Sequence, residues 1–334
     1  MTRGEWTDPA RARMLVAEWS ELWMAGRAPS LKATTRESYR SLLDTCVLPT
    51  WGRVRLSNVA HADVVAWVAD LSTRVGPSRC RKAATLLSGM MAGAVRDQRI
   101  PRNPCEGIRL PRLPHQEQRY LTLSQLQDLA ESAGPYRLMF LVLGLCGLRF
   151  GECAALTVRA FDPLRRRLRV FRAVSDVNGH LVWSTPKTHQ ARDVPVPRVL
   201  AEQLAGYVAG RSADDLIFAS PTGEPLRIGN WRRRVWDPAV AAAGLGRLTP
   251  HDLRHTAASL AIASGASVKH VQRMLGHKDA AMTLNVYASL FEDDLDTVSD
   301  RLDAAVSAAA AASVRPEAPA AVVDLAERQR RDAS

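Results

Sequence analysis

Histidine, arginine and tyrosine side chains that could act on a phosphate group are concentrated between residues 247 and 290. The stretch RLTPHDLRHTAASLAIAS at 247–264 places His251 three residues before Arg254. A helix that starts near Pro250 would put both side chains on one face, because residues three apart are neighbours on a helix. An imidazole beside the planar donor fork of a guanidinium forms a phosphate clamp.

Two further candidates follow on predicted helices of their own. A second helix is predicted from Ser267, a suitable N-cap, to Gly276, which ends it, and His277 comes directly after that end. A third, short helix is predicted over about 279–290 and carries Tyr287. A tyrosine with an ordinary pKa near 10 is a poor nucleophile. Cations that converge on its target can nevertheless promote the attack.

Two motifs earlier in the chain carry charged candidates. In GLCGLRFGECAAL, Arg149 follows a predicted buried helix, and Glu152 stands three residues later. An arginine at a helix edge is usually a surface or salt-bridge residue, and the neighbouring Glu152 fits that interpretation too. Lys187 lies in PKTHQAR, the predicted turn between two strands, where a solvated lysine is the ordinary interpretation. A lysine at an exposed hairpin tip can also reach into a groove and donate a proton there.

These motifs resemble those of the tyrosine recombinase family, the site-specific DNA recombinases of the phage-integrase type. The resemblance rests on GLRFGE, PKT, HDLRHT, LGH and a later tyrosine, in this order. The intervals are 3 residues from His251 to Arg254, 23 from Arg254 to His277 and 10 from His277 to Tyr287. Each motif alone is common by chance, whereas all five at these distances are specific. The resemblance covers a catalytic domain at about 120–300.

The resemblance implies a role for each candidate. Tyr287 would attack the scissile phosphate, form a 3′-phosphotyrosyl link and release a 5′-hydroxyl. Arg149 and Arg254 would grip the non-bridging oxygens, and His251 would assist proton handling at the tyrosine.

The remaining three candidates complete the implied site. His277 would hydrogen-bond the phosphate, Lys187 would protonate the leaving oxygen, and Glu152 would orient its neighbours. Such a site uses no cofactor, because cations stabilise the charge of a transferring phosphoryl group and a phosphotyrosyl bond keeps the phosphodiester energy. We therefore expect no metal ion and no ATP. In agreement, the sequence contains no GxxxxGK[ST] phosphate-binding loop.

The hydrophobic pattern predicts a mainly α-helical protein with a small antiparallel β-sheet, an α+β fold. Apolar stripes predict about four helices in residues 1–110, which resemble the helical, SAM-like core-binding domain of the family. Two prolines and few apolar residues predict a linker at 111–119. We expect a catalytic domain at 120–302 and a C-terminal helix or tail at 303–334, either disordered or packed on a neighbouring protomer. The resemblance implies that the two domains form a C-shaped clamp on DNA.

Within the second domain, residues 136–148 predict a buried helix that is too short to span a bilayer. RLRVFRAV, HLVWST and ARDVPVP, between residues 165 and 197, predict three short strands. At the N-terminus, residues 4–9 (GEWTDP) resemble the join that follows the arm-binding module of many relatives.

The charge balance favours a nucleic-acid partner. The 334-residue chain contains 45 Lys and Arg against 34 Asp and Glu, a formal net charge of +11, and its pI is near 10.0. The resemblance implies double-stranded DNA with specific recombination sites as this partner. It also implies a chain that is a monomer in solution and a homotetramer on DNA, with an accessory DNA-bending or directionality factor as a further candidate partner. Six basic residues are the candidate DNA contacts outside the catalytic motifs: Arg79, Arg81, Lys82, Arg232, Arg233 and Arg234.

Cysteine usage and the N-terminus favour a reducing compartment and argue against secretion, and the resemblance implies the bacterial cytoplasm or nucleoid. The five cysteines are odd in number and form no CxxC pair, which argues against a disulfide framework. The first residues, MTRGEWTDPARARML, lack the apolar region of a signal peptide. No stretch approaches the roughly 18 consecutive apolar residues of a membrane helix, so no membrane partner is expected.

Three other functions fit parts of the pattern. A non-catalytic DNA-binding regulator on the same scaffold would need the basic surface but not Tyr287, Lys187 and both arginines together. A topoisomerase IB-like strand relaxase would share the chemistry but not strand exchange in a tetramer. A metallohydrolase could use His251 and His255, but it would lack the glutamate of HExxH and an acidic third ligand. The complete set favours a recombinase of a phage or mobile element.

Overall fold

The computed structural model describes residues 13–114, 118–185, 191–288, 290 and 295–313. In these ranges the protein is mainly helical and carries two small antiparallel sheets, which confirms the predicted α+β fold class. All five cysteines are buried and unpaired. No helix in the described ranges has the length and apolar character needed to cross a membrane.

Residues 13–114 form a helical unit, and the predicted apolar stripes lie on its longer helices. Two helices of the unit are joined by a π-helical turn at Leu43–Val47. The α-helices of this unit are α1 (Val16–Arg27), α2 (Ala33–Leu42), α3 (Leu48–Trp51), α4 (His61–Arg74) and α5 (Pro77–Arg96).

Tryptophan and methionine side chains fill the core of this unit. Trp19 and Trp23 of α1 are buried, and Trp19 Nε1 donates a 2.9 Å hydrogen bond to the carbonyl oxygen of Met90 in α5. Met90 and Met91 are fully buried. Burial of a side chain of this size contributes about 1.5–3 kcal/mol. The resulting hydrophobic cluster is separate from the cluster of the following residues.

The second unit contains the remaining helices, two of which are joined by a π-helical turn at Arg232–Trp236. The last helix covers the first part of the predicted C-terminal tail, whereas residues 314–334 lie outside the described residues. These helices are α6 (Leu123–Glu131), α7 (Arg137–Cys146), α8 (Phe150–Cys153), α9 (Arg198–Val208), α10 (Ile228–Trp231), α11 (Asp237–Ala242), α12 (Pro250–Ala263), α13 (Val268–Leu275), α14 (Ala280–Tyr287) and α15 (Leu295–Ser313).

Helix α7 lies at the centre of this second unit. Seven of its ten residues are buried, which confirms the buried helix predicted at 136–148. It packs against α6 on one side and α12 on another. The chain leaves α7 at Gly147, in the turn that leads to Arg149.

The strands form two antiparallel sheets. The first has the order β1-β2-β5, and the second pairs β3 with β4. Their bounds are β1 (Phe161–Asp162), β2 (Arg167–Val170), β3 (Ala173–Val177), β4 (His180–Ser184) and β5 (Arg192–Pro195).

The prediction of RLRVFRAV as one strand was wrong. The chain leaves the first sheet after Val170 and enters the second at Ala173. Leu168 pairs with Val194 in the first sheet, whereas Val174 pairs with Trp183 in the second. Alternate residues stay buried on both sides of the break, so the period of two does not reveal a change of sheet.

Candidate active site

Arg254 of α12 joins the C-terminal ends of α7 and α13, and strand β5 packs against α13, in one region of the second unit. Electrostatic interactions link Arg254 to Arg149, Glu152 and Tyr287, and link the histidine candidates to the same arginines. Six of the seven predicted catalytic residues are therefore brought together: Arg149, Glu152, His251, Arg254, His277 and Tyr287.

Arg149 stands directly before α8 and pairs with Glu152 in the first turn of that helix. Its Nη1 donates to Glu152 Oε1 at 2.9 Å, and its backbone N–H donates to Oε2 at 3.0 Å. Gly151 lets this turn lie against β3, because a methyl group there would overlap the carbonyl oxygen of Val174. The Arg149 side chain is 27% exposed, so the guanidinium keeps a side open to a ligand.

Glu152 has a second partner that the sequence analysis missed. Arg192, the first residue of β5, donates from Nη1 to Glu152 Oε1 at 3.0 Å and from Nη2 to Oε2 at 2.6 Å. Its Nε donates to the carbonyl oxygen of Met274, near the end of α13, at 3.1 Å. Arg192 thus connects the turn that carries Arg149 to the helix end that precedes His277.

The Glu152 carboxyl is ionised although it is buried. Burial by itself would raise its pKa, but the hydrogen bond and charge of Arg192, together with Arg149, outweigh burial and lower the pKa to about 2. The carboxylate balances one of the two guanidinium groups that it contacts. The group of three therefore retains a positive charge at neutral pH.

Arg254 is buried in α12 and fixes two helix ends. Its Nη1 donates to the carbonyl oxygen of Gly147 at 2.6 Å, and its Nη2 donates to that of Leu275 at 2.6 Å. A cation at a helix C-terminus is favourable, because the last carbonyl groups are negative and lack partners within the helix. Burial and the charge of Arg149 lower the pKa of Arg254, but a guanidinium remains charged at neutral pH.

His277 is aimed by its position after α13 and by a threonine. Gly276, with φ +64°, ends that helix. His277 Nδ1 shares a 2.9 Å hydrogen bond with Oγ1 of the buried Thr283, which leaves Nε2 available. Burial and the positive charges of Arg254 and Arg149 lower the pKa of His277 to about 4, so the ring is neutral at pH 7.

Tyr287 ends α14 and is only 1% exposed. Its hydroxyl shares a 2.8 Å hydrogen bond with Nδ1 of His255, and its ring lies 6.4 Å from that of Tyr120. Burial raises the pKa of Tyr287 to about 12. His251 is exposed, and its ring meets the His255 ring edge-on at 4.9 Å. The side chain at the tyrosine hydroxyl is therefore that of His255.

Lys187 lies outside the described residues, together with the rest of 186–190. Its role as a proton donor therefore stays a prediction. The two strands that precede and follow it are β4 and β5, and β5 reaches the site through Arg192.

Arg192, His255 and Thr283 were not predicted as parts of a phosphate site. The sequence indicated His255 only as a candidate metal ligand together with His251. Spacing offered a signal for two of them, since His255 is four residues after His251 and Thr283 is four residues before Tyr287. In the part of the chain that the structure describes, no three His, Cys, Asp or Glu side chains are grouped to hold a metal ion.

The six predicted DNA contacts form two groups, one in each unit. Arg81 and Lys82 line a groove of about 650 Å³ together with Arg27. Arg232 is exposed and pairs with Asp237 at 3.3 Å. The groups are Arg79, Arg81 and Lys82 in α5, and Arg232, Arg233 and Arg234 in the π-helical turn.

Comparison with known sequences finds relatives that are named integrases. The sequence model described as the phage integrase family matches residues 116–293. A Mycobacterium tuberculosis protein, provisionally named the prophage phiRv2 integrase, is 31% identical over 277 residues, which cover 80% of this chain and 72% of that protein. The integrase of Mycobacterium phage L5 is 28% identical over 295 residues, which cover 84% of this chain and 78% of the relative.

Solved structures show the same fold. The Tn1549 transposon integrase in complex with transposon right end DNA aligns with a TM-score of 0.75 at 19% identity, over 87% of this chain and 100% of that chain. A lambda integrase dimer bound to a COC' core site aligns with a TM-score of 0.64 at 17% identity, over 86% of this chain and 79% of that chain. The family match over residues 116–293 and the identity to the mycobacterial integrase show that the chain belongs to the phage integrase family of tyrosine recombinases.

Proposed function

We propose that this recombinase cuts and rejoins strands of double-stranded DNA at specific sites through a covalent bond between Tyr287 and a 3′-phosphate. The observation that carries the proposal is the convergence of Arg149, Arg254 and His277 in one region, with Tyr287 within electrostatic reach of Arg254. A transferring phosphoryl group spreads negative charge over its equatorial oxygens. Cations that are fixed before the reaction stabilise that charge without reorganising.

The two arginines retain donors for a phosphate. Arg149 uses Nη1 and its backbone N–H on Glu152, so its other N–H groups are available on its open side. Arg254 gives one N–H of each Nη to a carbonyl oxygen, and Nε and the second N–H of each Nη remain. His277, neutral at pH 7, adds one ring N–H. These donors fit the non-bridging oxygens of a scissile phosphate.

The nucleophile is covered before DNA binds. A phosphate cannot reach the hydroxyl of a residue that is 1% exposed, so DNA binding has to uncover Tyr287. In the attack, a bond forms between Tyr287 Oη and phosphorus, and the bond from phosphorus to the 5′-oxygen breaks. His255, half-buried and with its pKa lowered by burial and by Arg254, is a neutral base in contact with the phenol proton. Lys187 would supply the proton that the 5′-oxygen takes up.

The biological setting is part of the same proposal. The helices of residues 13–110 would act as a core-binding domain and residues 120–302 as the catalytic domain, closing around DNA as a C-shaped clamp. Support comes from relatives named as phage and prophage integrases and from a lambda integrase tetramer solved on a Holliday junction. We place the chain in the bacterial cytoplasm, as a monomer that assembles into a homotetramer on DNA with an accessory bending or directionality factor.

Covalent attachment to DNA tests the proposed function. The chain is incubated with a DNA site to which it binds, in EDTA and without ATP, and is then denatured in SDS. A substrate nicked near the cleavage point traps the intermediate, because the released fragment diffuses away. We expect a protein–DNA adduct whose peptide maps to Tyr287. Binding of the site without any adduct would instead favour a non-catalytic DNA-binding regulator.

Lys187 is tested by the chemistry of the leaving group. We expect Lys187→Ala to slow cleavage of an ordinary strand by about 10²–10⁴-fold, the usual contribution of a general acid. A substrate with sulfur in place of the 5′-bridging oxygen has a leaving group that needs little protonation. The same variant should cleave that substrate at close to the rate of the unmodified chain. Equal slowing on both substrates in a single-turnover assay would contradict the role of Lys187 as the acid.

A further inference from the structure

Arg192 is a side chain of the site that the family motifs do not account for, and each of its three nitrogens makes a hydrogen bond. Nε, Nη1 and Nη2 all donate hydrogen bonds, to the Met274 carbonyl oxygen and to both carboxylate oxygens of Glu152. The side chain is 10% exposed. A bidentate pair between a guanidinium and a carboxylate fixes both the distance and the angle between the two groups.

The backbone of Arg192 is held in place by the first sheet. Arg192 pairs with Val170 in the antiparallel ladder between β2 and β5. On the other side, its aliphatic stem lies against the turn at Gly276, where an added Cβ would come within 2.9 Å of Arg192 Cδ. The side chain therefore spans from a fixed strand to the turn directly before His277.

Each contact of Arg192 leads to a group that faces the phosphate. Through Glu152 it reaches Arg149, which donates to the same carboxylate. Through Met274 it reaches the end of α13, which precedes His277. A displacement of Arg192 would therefore alter the orientation of Arg149 and His277 relative to each other.

We propose that Arg192 is a positioning residue, which sets Arg149 and His277 at the separation that one scissile phosphate requires. It acts through Glu152 and through the end of α13. The proposal rests on the proposed function, since it assigns Arg149 and His277 to the phosphate of a cleaved strand.

The three hydrogen bonds that Arg192 makes require a guanidinium, and a different cation could not form all of them. Its three nitrogens lie in one plane and point at three oxygens on two separate elements. A lysine has a single nitrogen, so it can bind the carboxylate or the Met274 carbonyl oxygen in this arrangement, but not all three oxygens. Lysine at position 192 should therefore preserve the local charge and only part of the alignment.

The test uses two variants and a matched control. Arg192→Lys keeps the charge, and Arg192→Met keeps the bulk. The control is Arg211→Met, because Arg211 is also half-buried and donates from both Nη groups, to the carbonyl oxygens of Leu216 and Ile217, outside the site. Single-turnover cleavage is measured on nicked substrates with either an ordinary phosphodiester or a methylphosphonate at the scissile position. DNA binding without cleavage is measured in parallel.

The expected result distinguishes a loss of alignment of Arg149 and His277 from a general loss of folding. On the phosphodiester, we expect cleavage about tenfold slower for Arg192→Lys and about a hundredfold slower for Arg192→Met, with Kd for DNA changed less than about threefold. A methylphosphonate replaces one charged oxygen by a methyl group, so misalignment of Arg149 matters less. The deficit of both variants should shrink below about tenfold for at least one diastereomer.

Three outcomes would overturn the proposal. The first is cleavage of the phosphodiester by both Arg192 variants at the rate of the unmodified chain. The second is an equal reduction of the cleavage rate on the phosphodiester and the methylphosphonate. The third is a reduction of the same size in Arg211→Met. Arg192→Lys retains the charge that balances Glu152. Its cleavage of the two substrates can therefore be compared even if Arg192→Met does not fold. Absence of an adduct in the unmodified chain would refute the proposed function instead, and that reference reaction is run first.

Discussion

Replacement of Tyr287 by phenylalanine is expected to abolish the covalent adduct with DNA while leaving binding to DNA unchanged. The substitution removes only the hydroxyl oxygen that would bond to phosphorus. The ring keeps its buried position next to Tyr120 and His255. Loss of the 2.8 Å hydrogen bond to His255 should cost about 0.5–1.5 kcal/mol, too little to unfold the second unit. The measurements are adduct formation in SDS and the Kd of the uncleaved complex.

Tyr120 provides the matched control for this substitution. It packs beside Tyr287, but its hydroxyl donates to Gln118 Oε1 at 2.7 Å and makes no contact with the cationic groups in the described site. Tyr120→Phe should therefore form the adduct at close to the unmodified rate. An undiminished adduct in Tyr287→Phe would show that another residue is the nucleophile. Loss of the adduct in both variants would point to packing rather than chemistry.

Burial of Tyr287 has a consequence for specificity. Its hydroxyl is covered and its pKa is raised to about 12, so the free chain presents an unreactive phenol to chance phosphates. The cations that would promote the attack act only after the hydroxyl is uncovered beside a bound strand. In the proposed mechanism, burial of Tyr287 would therefore limit accidental cleavage in addition to recognition of a DNA site.

The positions of the candidate catalytic residues on α12 and directly after α13 were predictable because their spacing is local. His251 and Arg254 lie on one turn of α12, and His277 follows the glycine that ends α13. The buried helix α7 was predictable from its uninterrupted apolar run. In each case a short sequence window contains the whole signal.

The contacts that Arg192 and His255 make in this site were not predictable, because their partners are distant in sequence. Arg192 binds a carboxylate 40 residues earlier, and the contact depends on how β5 pairs with β2. His255 meets Tyr287, 32 residues later, because α13 packs against both α12 and α14. An arginine in a strand carries no mark of such a contact, and the spacing from His251 to His255 indicates a shared helix face but not the contact with Tyr287. The division of RLRVFRAV between two sheets was hidden for the same reason, since pairing partners are not local.

Arg254 is the position where loss of a single side chain should damage both stability and chemistry. Arg254→Met would leave the carbonyl oxygens of Gly147 and Leu275 buried without their donor, at a cost of about 1–3 kcal/mol each. We expect the free energy of unfolding to fall by about 2–6 kcal/mol. Cleavage by the folded fraction should slow by at least about 10²–10³-fold, because a fixed donor to the developing charge is removed.

The comparison with Arg254→Lys separates these two effects. Lysine keeps the positive charge but can bind only one carbonyl oxygen well, so it should recover about half of the lost stability in urea unfolding. It should recover little of the cleavage rate, because a single ammonium cannot hold both helix ends and also face a phosphate. If Arg254→Lys restored cleavage fully while remaining unstable, charge alone would be sufficient at this position. The two buried hydrogen bonds would then serve folding, and alignment of the phosphate would depend on Arg149 and His277.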